Sequence, residues 1–353
     1  MTEVYLIRHA EAEGNLYRIA QGQADSNLTD RGWRQVQALE RRFENVHVDA
    51  VYASDLYRTC ATASAVYKPK GLPLHRSKQL REIHMGIWEH KTWGEIYRDW
   101  PEQVKYFGRR PDLWHLEEAE DPRAARARVL AEIRRIAGEN PGKTVAIFSH
   151  GYVLRLVVSY LQGYSLEEVG KIPTADNTAV SLLREENGQL QVVFRDDSSH
   201  LQTPEFLAGE KSGHRANGLE PGLWFASMKE EQRGEVAAWL TGEGRQAAGL
   251  PEGGAQETLL GYLDKEPVGV LGMDAASGRI DLLYVRPDFR CRGFGGQLIG
   301  QAVVRTRAAD GGIVSVRAED EKTAAFFRDY GFHTGAEDCL EKDIRFLPEF
   351  QGK

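Results

Sequence analysis

Between Gln202 and Gly222 the chain reads QTPEFLAGEKSGHRANGLEPG, a run rich in glycine, proline and charge with no apolar period. That composition predicts a linker and divides the chain into two separate folding problems. The length of 353 residues agrees, since one domain averages about 100–200 residues. A hydrophobic share of 41% and a charged share of 27% give each part enough apolar material for a core. The expected organisation is one domain over 1–203, a linker over 204–222 and a second domain over 223–353.

The two parts carry different patterns. In the first, TEVYLIRH reads as a buried strand, and TDRGWRQVQALERRFENV has its apolar residues at helical spacing. The strand DAVYAS, the helices LYRTCATASAVYK and PRAARARVLAEIRRIAG, the strand TVAIFSH, the helix YVLRLVVSYLQG and the strands TAVSLLREE and QLQVVFRDD follow. This alternation predicts an α/β sheet with helices on its faces. After the linker come the strand LWFASM, the helix KEEQRGEVAAWLTGEGRQA and three strands joined by short turns: ETLLGYLD, EPVGVLGMD and GRIDLLYV. These predict an antiparallel meander, followed by a helix, a strand, a helix and a terminal strand pair.

Several function classes fall away. No apolar run approaches the ~20 residues that cross a bilayer, and MTEVYLIRHAEAEG lacks the pattern of a secretory signal. Cys60, Cys291 and Cys339 are odd in number and widely spaced, which fits neither a disulfide framework nor a zinc site. A net charge of −7 argues against a general nucleic-acid or anionic-membrane binder. The expectation is a soluble, cytoplasmic protein acting on small molecules, with its oligomeric state left open.

Chemistry concentrates at strand ends. Arg8 and His9 close the first strand, His150 closes TVAIFSH, and Arg58 follows DAVYAS. Ligands of open α/β sheets bind beyond the carboxyl ends of strands. Two arginines and two histidines converging there form a cationic pocket suited to a phosphate dianion, with a neutral histidine available as nucleophile.

The ordered blocks RHAEAEGN, QGQADSNLTDRGWRQVQA, SDLYRTCATA, LREIHMGIWEHKT, SHGYVLR and DDSSHL resemble the histidine phosphatase (phosphoglycerate mutase-like) superfamily over about residues 1–203. The resemblance implies a three-layer α/β/α fold with a mostly parallel sheet and metal-independent phosphomonoester hydrolysis without a cofactor. It assigns His9 as phosphate acceptor, Arg8, Arg58 and His150 as the phosphoryl clamp, and Glu82 as the acid at the leaving oxygen. Asn15, Gln21, Gly22 and Thr29, with Ser149 and Gly151 beside His150, are the expected substrate-binding residues. Departures from the family pattern are Ala10, His90 and Asp196; the last brings a negative charge towards the pocket. His84, His90, His115 and His200 are expected to be structural or rim residues. A mutase reading remains as an alternative, but Glu82 and His150 are separated by no long insertion, which favours hydrolysis. EIYRDWPEQVKYFGRRPDLWHLEEAED reads either as a substrate lid, with Trp100, Tyr106, Phe107 and Trp114 among Lys105, Arg109 and Arg110, or as helices packing aromatics on the core.

In the second part, LLYVRPDFRCRGFGGQLIG runs a strand into a glycine-rich turn that opens a helix, so backbone N–H groups point at one place, as at pyrophosphate sites. Its R-x-x-G-x-G order, with TAAFFRDYGFHTG later, resembles the GCN5-related N-acetyltransferases (GNAT) over about 223–346. The resemblance implies an α/β domain with a mostly antiparallel sheet that uses acetyl-CoA to acetylate an amine. Tyr284 and Val285 would flank the acyl-pantetheine arm, and the segment of Arg290, Arg292, Gly293, Gly295 and Gly296 would hold the pyrophosphate. Phe327 stands where the family offers a tyrosine to the departing thiolate, and Asp281, Glu319 and Asp320 are unresolved candidates for a base. A non-catalytic acyl-CoA-binding regulatory domain is therefore the alternative to a second enzyme.

Overall fold

The computed structural model describes residues 1–210, 222–242, 250, 256–336 and 338–351. The first part contains β1 (Thr2–Arg8), α1 (Glu13–Leu16), α2 (Asp30–Phe43), β2 (Ala50–Ser54), α3 (Tyr57–Tyr67) and β3 (Leu74–Ser77). It continues through α4 (Trp93–Asp99), α5 (Pro101–Arg109), α6 (Pro122–Glu139), β4 (Thr144–Ser149), α7 (Gly151–Leu161), β5 (Val180–Glu186), β6 (Gln189–Asp197) and α8 (Pro204–Ala208). Its sheet runs β3-β2-β4-β1-β5-β6. The first four strands are parallel, and β5 and β6 add an antiparallel hairpin at one edge.

Because side chains alternate across a strand, the central strands must be apolar on both faces. Val4 and Leu6 of β1 and Val145 and Ile147 of β4 join the core under α6 and α7. Ile7, Ala146 and Phe148 face the opposite core, built with Val36 and Leu39 of α2 and Ala61 and Val66 of α3. Local signals set the helix starts. Thr29 caps α2 by accepting from the Gly32 N–H, and Asp121 caps α6 ahead of Pro122. The strand β3 leaves no periodic signal in the sequence, because LHRS is a short, largely polar edge strand with no apolar alternation.

The second part contains β7 (Trp224–Ser227), α9 (Arg233–Gly242), β8 (Gln256–Leu263), β9 (Glu266–Asp274), β10 (Arg279–Val285), α10 (Phe294–Ala308), β11 (Ile313–Val316), α11 (Glu321–Asp329), β12 (His333–Thr334) and β13 (Leu340–Asp343). The sheet order is β12-β13-β11-β10-β9-β8-β7, antiparallel except where β10 meets β11. That parallel pairing spans only Arg279–Ile280 against Ser315–Val316, so β10 and β11 separate beyond it. A bulge in β10 between Ile280 and Leu282 lies at the parting point. The C-terminal end of the helix expected over 229–247 lies outside the described residues, as do residues 211–221 of the expected linker. The start of that linker folds: Pro204–Ala208 is helical, Thr203 caps it, and Phe206 packs with Ala38 and Leu201. No helix among the described residues is long and apolar enough to cross a membrane.

The two parts share a packed boundary. Tyr17, just after α1, is buried in the second core, where Gly300 of α10 makes room for it: a β-carbon on Gly300 would lie 2.5 Å from Tyr17 Cβ. Glu13 pairs with Arg307 of α10 at 3.1 Å. Arg98 of α4 lies 4.4 Å over the Trp224 ring. The C-terminal segment returns to the first part, where Phe346 and Phe350 pack on Tyr57.

The Tyr17 hydroxyl is buried without a hydrogen-bond partner among the described residues. Tyr17→Phe should therefore raise stability by about 1 kcal/mol, while Tyr17→Ala should lower it by about 3–5 kcal/mol. Calorimetric unfolding reads both; destabilisation by the phenylalanine would mean that the hydroxyl has a partner.

Candidate active site

The register of the sheet builds the site. Arg8 of β1 lies opposite Ser149 of the parallel strand β4, so His9 and His150 leave adjacent strand ends together. Their ring centroids are 5.4 Å apart. β2, on the other side of β4, delivers Ser54 and then Arg58 in the first turn of α3. All four predicted groups converge.

Each is held in a specific way. His9 Nδ1 lies 2.7 Å from the Ala10 carbonyl, an arrangement that makes Nδ1 the donor and leaves Nε2 with a free lone pair. The Asn177 side chain donates to the His9 carbonyl at 3.0 Å. His150 Nε2 lies 2.9 Å from the Ser54 hydroxyl, and its Nδ1 has no partner among the described residues. Arg58 donates to the carbonyls of Gly22 and Ala24, each at 2.7 Å, and its Nε is unpartnered. Arg8 donates to the Ala175 carbonyl, and its Nε is likewise unpartnered. Gly151 is required here, because a β-carbon would sit 2.9 Å from Arg8 Nε.

Two buried guanidinium N–H donors without protein partners, Arg8 Nε and Arg58 Nε, lie with His150 Nδ1 around an unprotonated imidazole nitrogen and form a ready-made anion site. Burial first, then the charges of Arg58 and Arg8, holds His9 well below its ordinary pKa. His150 is lowered for the same leading reasons. Burial also pushes Arg58 down to about 10.

Glu82 lines the same cavity. Its carboxylate accepts from the Ile83, Tyr152 and Val153 N–H groups, each at 3.0 Å, the last two at the start of α7. Burial nevertheless raises its pKa above the usual value, against those bonds and Arg58.

The cavity encloses about 370 Å³. Asn15, Gln21, Gly22 and Gly151 line it as expected. Thr29 and Ser149 do not: Thr29 caps α2 and donates to Glu11, and Ser149 donates to the Leu80 carbonyl beneath the Glu82 segment. Asp196 turns to Arg195 and stays out of the lining. His200 is a structural residue, buried between Thr178 and Arg42 and held near a pKa of about 4 by desolvation.

The region expected to be a lid divides. Trp114 is buried and Trp100 and Tyr106 pack on the core, whereas Phe107 stacks on Tyr152 at 4.1 Å and lines the cavity. Trp93, Tyr97, Arg18 and Arg155 also line it; Arg155 ends the block SHGYVLR, and no sequence motif marks the other three. Ser54 was not singled out, although it closes the predicted strand DAVYAS. Nor was Asn177, because it precedes an antiparallel strand whose beginning, rather than its end, faces the site.

A histidine phosphatase superfamily (branch 1) model matches residues 4–198. The chain belongs to that superfamily. An acetyltransferase (GNAT) domain model matches residues 242–348, so the phosphatase fold is joined to a GNAT domain. Phosphoserine phosphatase 1 of Hydrogenobacter thermophilus is 26% identical over 201 residues, covering 57% of this chain and 95% of that protein. The protein named probable phosphoglycerate mutase GpmB of Citrobacter koseri is 32% identical, covering 46% and 76% respectively. Among solved structures, Bacillus stearothermophilus YhfR aligns with a TM-score of 0.55 and 32% identity over 57% of this chain and all of that one.

In the GNAT domain the expected turn is open at Gly293, which has φ 80° and would have nothing within 4 Å of an added β-carbon. Gly295 and Gly296 differ. Phe326 covers the first, and the Tyr330 hydroxyl would lie 2.7 Å from a β-carbon on the second. Tyr284 is buried, its hydroxyl bonded to the Trp239 carbonyl, and Arg290 lies 5.4 Å over its ring. Arg292 lies over the Phe289 and Phe294 rings. Arg290 Nε donates to the Val285 carbonyl at 2.9 Å. Phe327 is buried against Phe332, so the tyrosine position of other GNAT proteins is a core position here. Asp281 pairs with Arg279, and Asp320 caps α11. The open turn and the parted strands β10 and β11 fit an acyl-CoA; the covered glycines narrow the contacts available to it.

His9 and His150 have folded-state pKa values below 6.5, so the unfolded chain binds more protons below that pH and stability falls as the solution is acidified. Each can contribute at most about 1.4 kcal/mol per pH unit. Glu82, raised above 4.5, acts in the opposite sense as pH falls through its folded value. Denaturant titrations at a series of pH values should show His150→Asn with a shallower loss below pH 6.5 than the parent; equal slopes would contradict a buried neutral ring.

Proposed function

We propose that the first domain hydrolyses phosphomonoesters through a phosphohistidine at His9. The observation that carries this reading is the free Nε2 of His9 among the unpartnered nitrogens of Arg8, Arg58 and His150. In the first step Nε2 attacks phosphorus, a P–N bond forms and the bond to the ester oxygen breaks. Arg8, Arg58 and His150 stabilise charge on the equatorial oxygens. Protonated Glu82 gives its proton to the departing oxygen. In the second step water attacks phosphorus and returns a proton to Glu82, the P–N bond breaks, and inorganic phosphate leaves. The raised pKa of Glu82 supports its role as acid. Asn15, Gln21, Gly22 and Gly151 bind the phosphoryl group and its neighbourhood.

The relatives named above point to small phosphorylated metabolites as substrates, and their names divide between phosphatase and mutase. The short span from Glu82 to His150 supports hydrolysis. For the second domain the reading is acetyl-CoA-dependent N-acetylation of an amine, with acetyl-CoA supplying the acetyl group. Tyr284, Val285, Arg290, Arg292 and Gly293 would hold it, with Gly295 and Gly296 at the helix start. One observation favours a second reading, an acyl-CoA-binding regulatory domain without transfer: Phe327 is buried and offers no proton.

His9→Ala should abolish turnover of an aryl phosphate together with the labelled, acid-labile phosphoenzyme; survival of both removes His9 from the mechanism. For alkyl phosphates kcat/KM should fall as pH rises through the elevated pKa of Glu82, and Glu82→Gln should remove that limb while harming alkyl esters more than aryl esters. CoA release from acetyl-CoA across a panel of amines, lost in Gly293→Trp, would support transfer. Binding of acetyl-CoA without release would support the regulatory reading.

A further inference from the structure

Four arginines line the cavity, and three of them are anchored. Arg8 donates to the Ala175 carbonyl, Arg58 to those of Gly22 and Ala24, and Arg155 to those of Gly108 and Val169. The Arg18 guanidinium makes no hydrogen bond or ion pair among the described residues, and its Nε is buried without a partner. Burial lowers its pKa, with only Tyr97 acting against that. A half-buried cation left unpaired inside a cavity is costly unless a ligand completes it.

The backbone at Arg18 makes the same point independently. The chain turns out of α1 at Arg18: the Ile19 N–H bonds the Gly14 carbonyl at 3.0 Å, the outer bond of a Schellman turn. Arg18 therefore occupies the position after the helix where glycine is the usual residue, and its φ is 59°. Its main-chain carbonyl accepts from the Trp93 N–H at 2.9 Å, a role glycine would fill equally well. The fold thus gives no reason for a long cationic side chain in a left-handed conformation, which is strained for any residue with a β-carbon.

Asn15 and Arg18 both line the cavity, three residues apart on the same segment. The group around His9 has two arginines and two histidines for a dianion. Arg18 adds one unanchored planar fork to the lining, which matches the two oxygens of a carboxylate and would leave a second phosphate only half neutralised. We propose that Arg18 is a specificity-determining residue that pairs with a carboxylate on the phosphoester, so that the substrate class is a small phosphorylated carboxylic acid. This rests on the phosphatase reading of the same cavity.

Matched substrates isolate the carboxylate: O-phosphoserine against O-phosphoethanolamine, and 3-phosphoglycerate against glycerol 3-phosphate. The unaltered protein should favour the carboxylate member of each pair by about 10- to 100-fold in kcat/KM. Arg18→Gly suits the positive φ and should bring that ratio close to unity; Arg18→Lys, which keeps the charge and loses the fork, should retain part of it. Absence of the preference, or its survival in Arg18→Gly, overturns the proposal. Dissociation constants of the same compounds for His9→Ala, with and without Arg18→Gly, make the comparison without turnover. Failure of the chemistry alone would therefore count against the phosphatase reading, and failure of the binding preference against Arg18.

Discussion

The first domain is organised around polar nitrogens that its own chain leaves unsatisfied. Arg8 Nε, Arg58 Nε and His150 Nδ1 are buried and unpartnered among the described residues, and each such group costs about 1–3 kcal/mol. A fold tolerates this where a ligand supplies the missing acceptor. The rest of the domain follows from holding these groups in place: parallel neighbours β1 and β4 set the two histidines side by side, and carbonyls of Gly22, Ala24 and Ala175 fix both guanidinium groups. The same buried, cationic surroundings hold His9 well below its ordinary pKa, and burial keeps Glu82 more readily protonated than an exposed carboxyl group. One environment sets opposite proton preferences on two neighbouring groups.

The second organising element is the short segment after His9. One side of it, through Gly14, Asn15, Arg18 and Ile19, lines the phosphatase cavity. The other, through Glu13 and Tyr17, packs on α10, the helix that follows the Gly293 turn of the GNAT domain. The wall of one site and the support of the other are therefore a single packed unit. Phe346 and Phe350 fasten the chain back onto the first domain and limit the independence that a linker implies.

The convergence of groups was legible where chemistry and strand ends coincide. Arg8, His9, Arg58 and His150 were legible because buried strands announce themselves and their carboxyl ends are where ligands sit. The cavity lining does not include the expected Thr29 and Ser149, whose hydroxyls serve main-chain groups and the Glu11 carboxylate. Neither role leaves a mark distinct from substrate binding in a linear pattern. Arg18 escaped notice for a related reason: nothing in NLYRIAQ shows that its arginine sits at a helix end with positive φ.

The amino-acid sequence by itself determined two unlike α/β folds, their order, and the residue types of a candidate anion site and a glycine-rich helix start. Those features are local or periodic, so a linear reading recovers them. Only the tertiary structure decided which hydroxyls and arginines face the cavity, that Phe327 is core, and that Tyr17 belongs to the core of the other domain. These depend on strand register and on packing between residues far apart in the chain, and no short-range pattern encodes them.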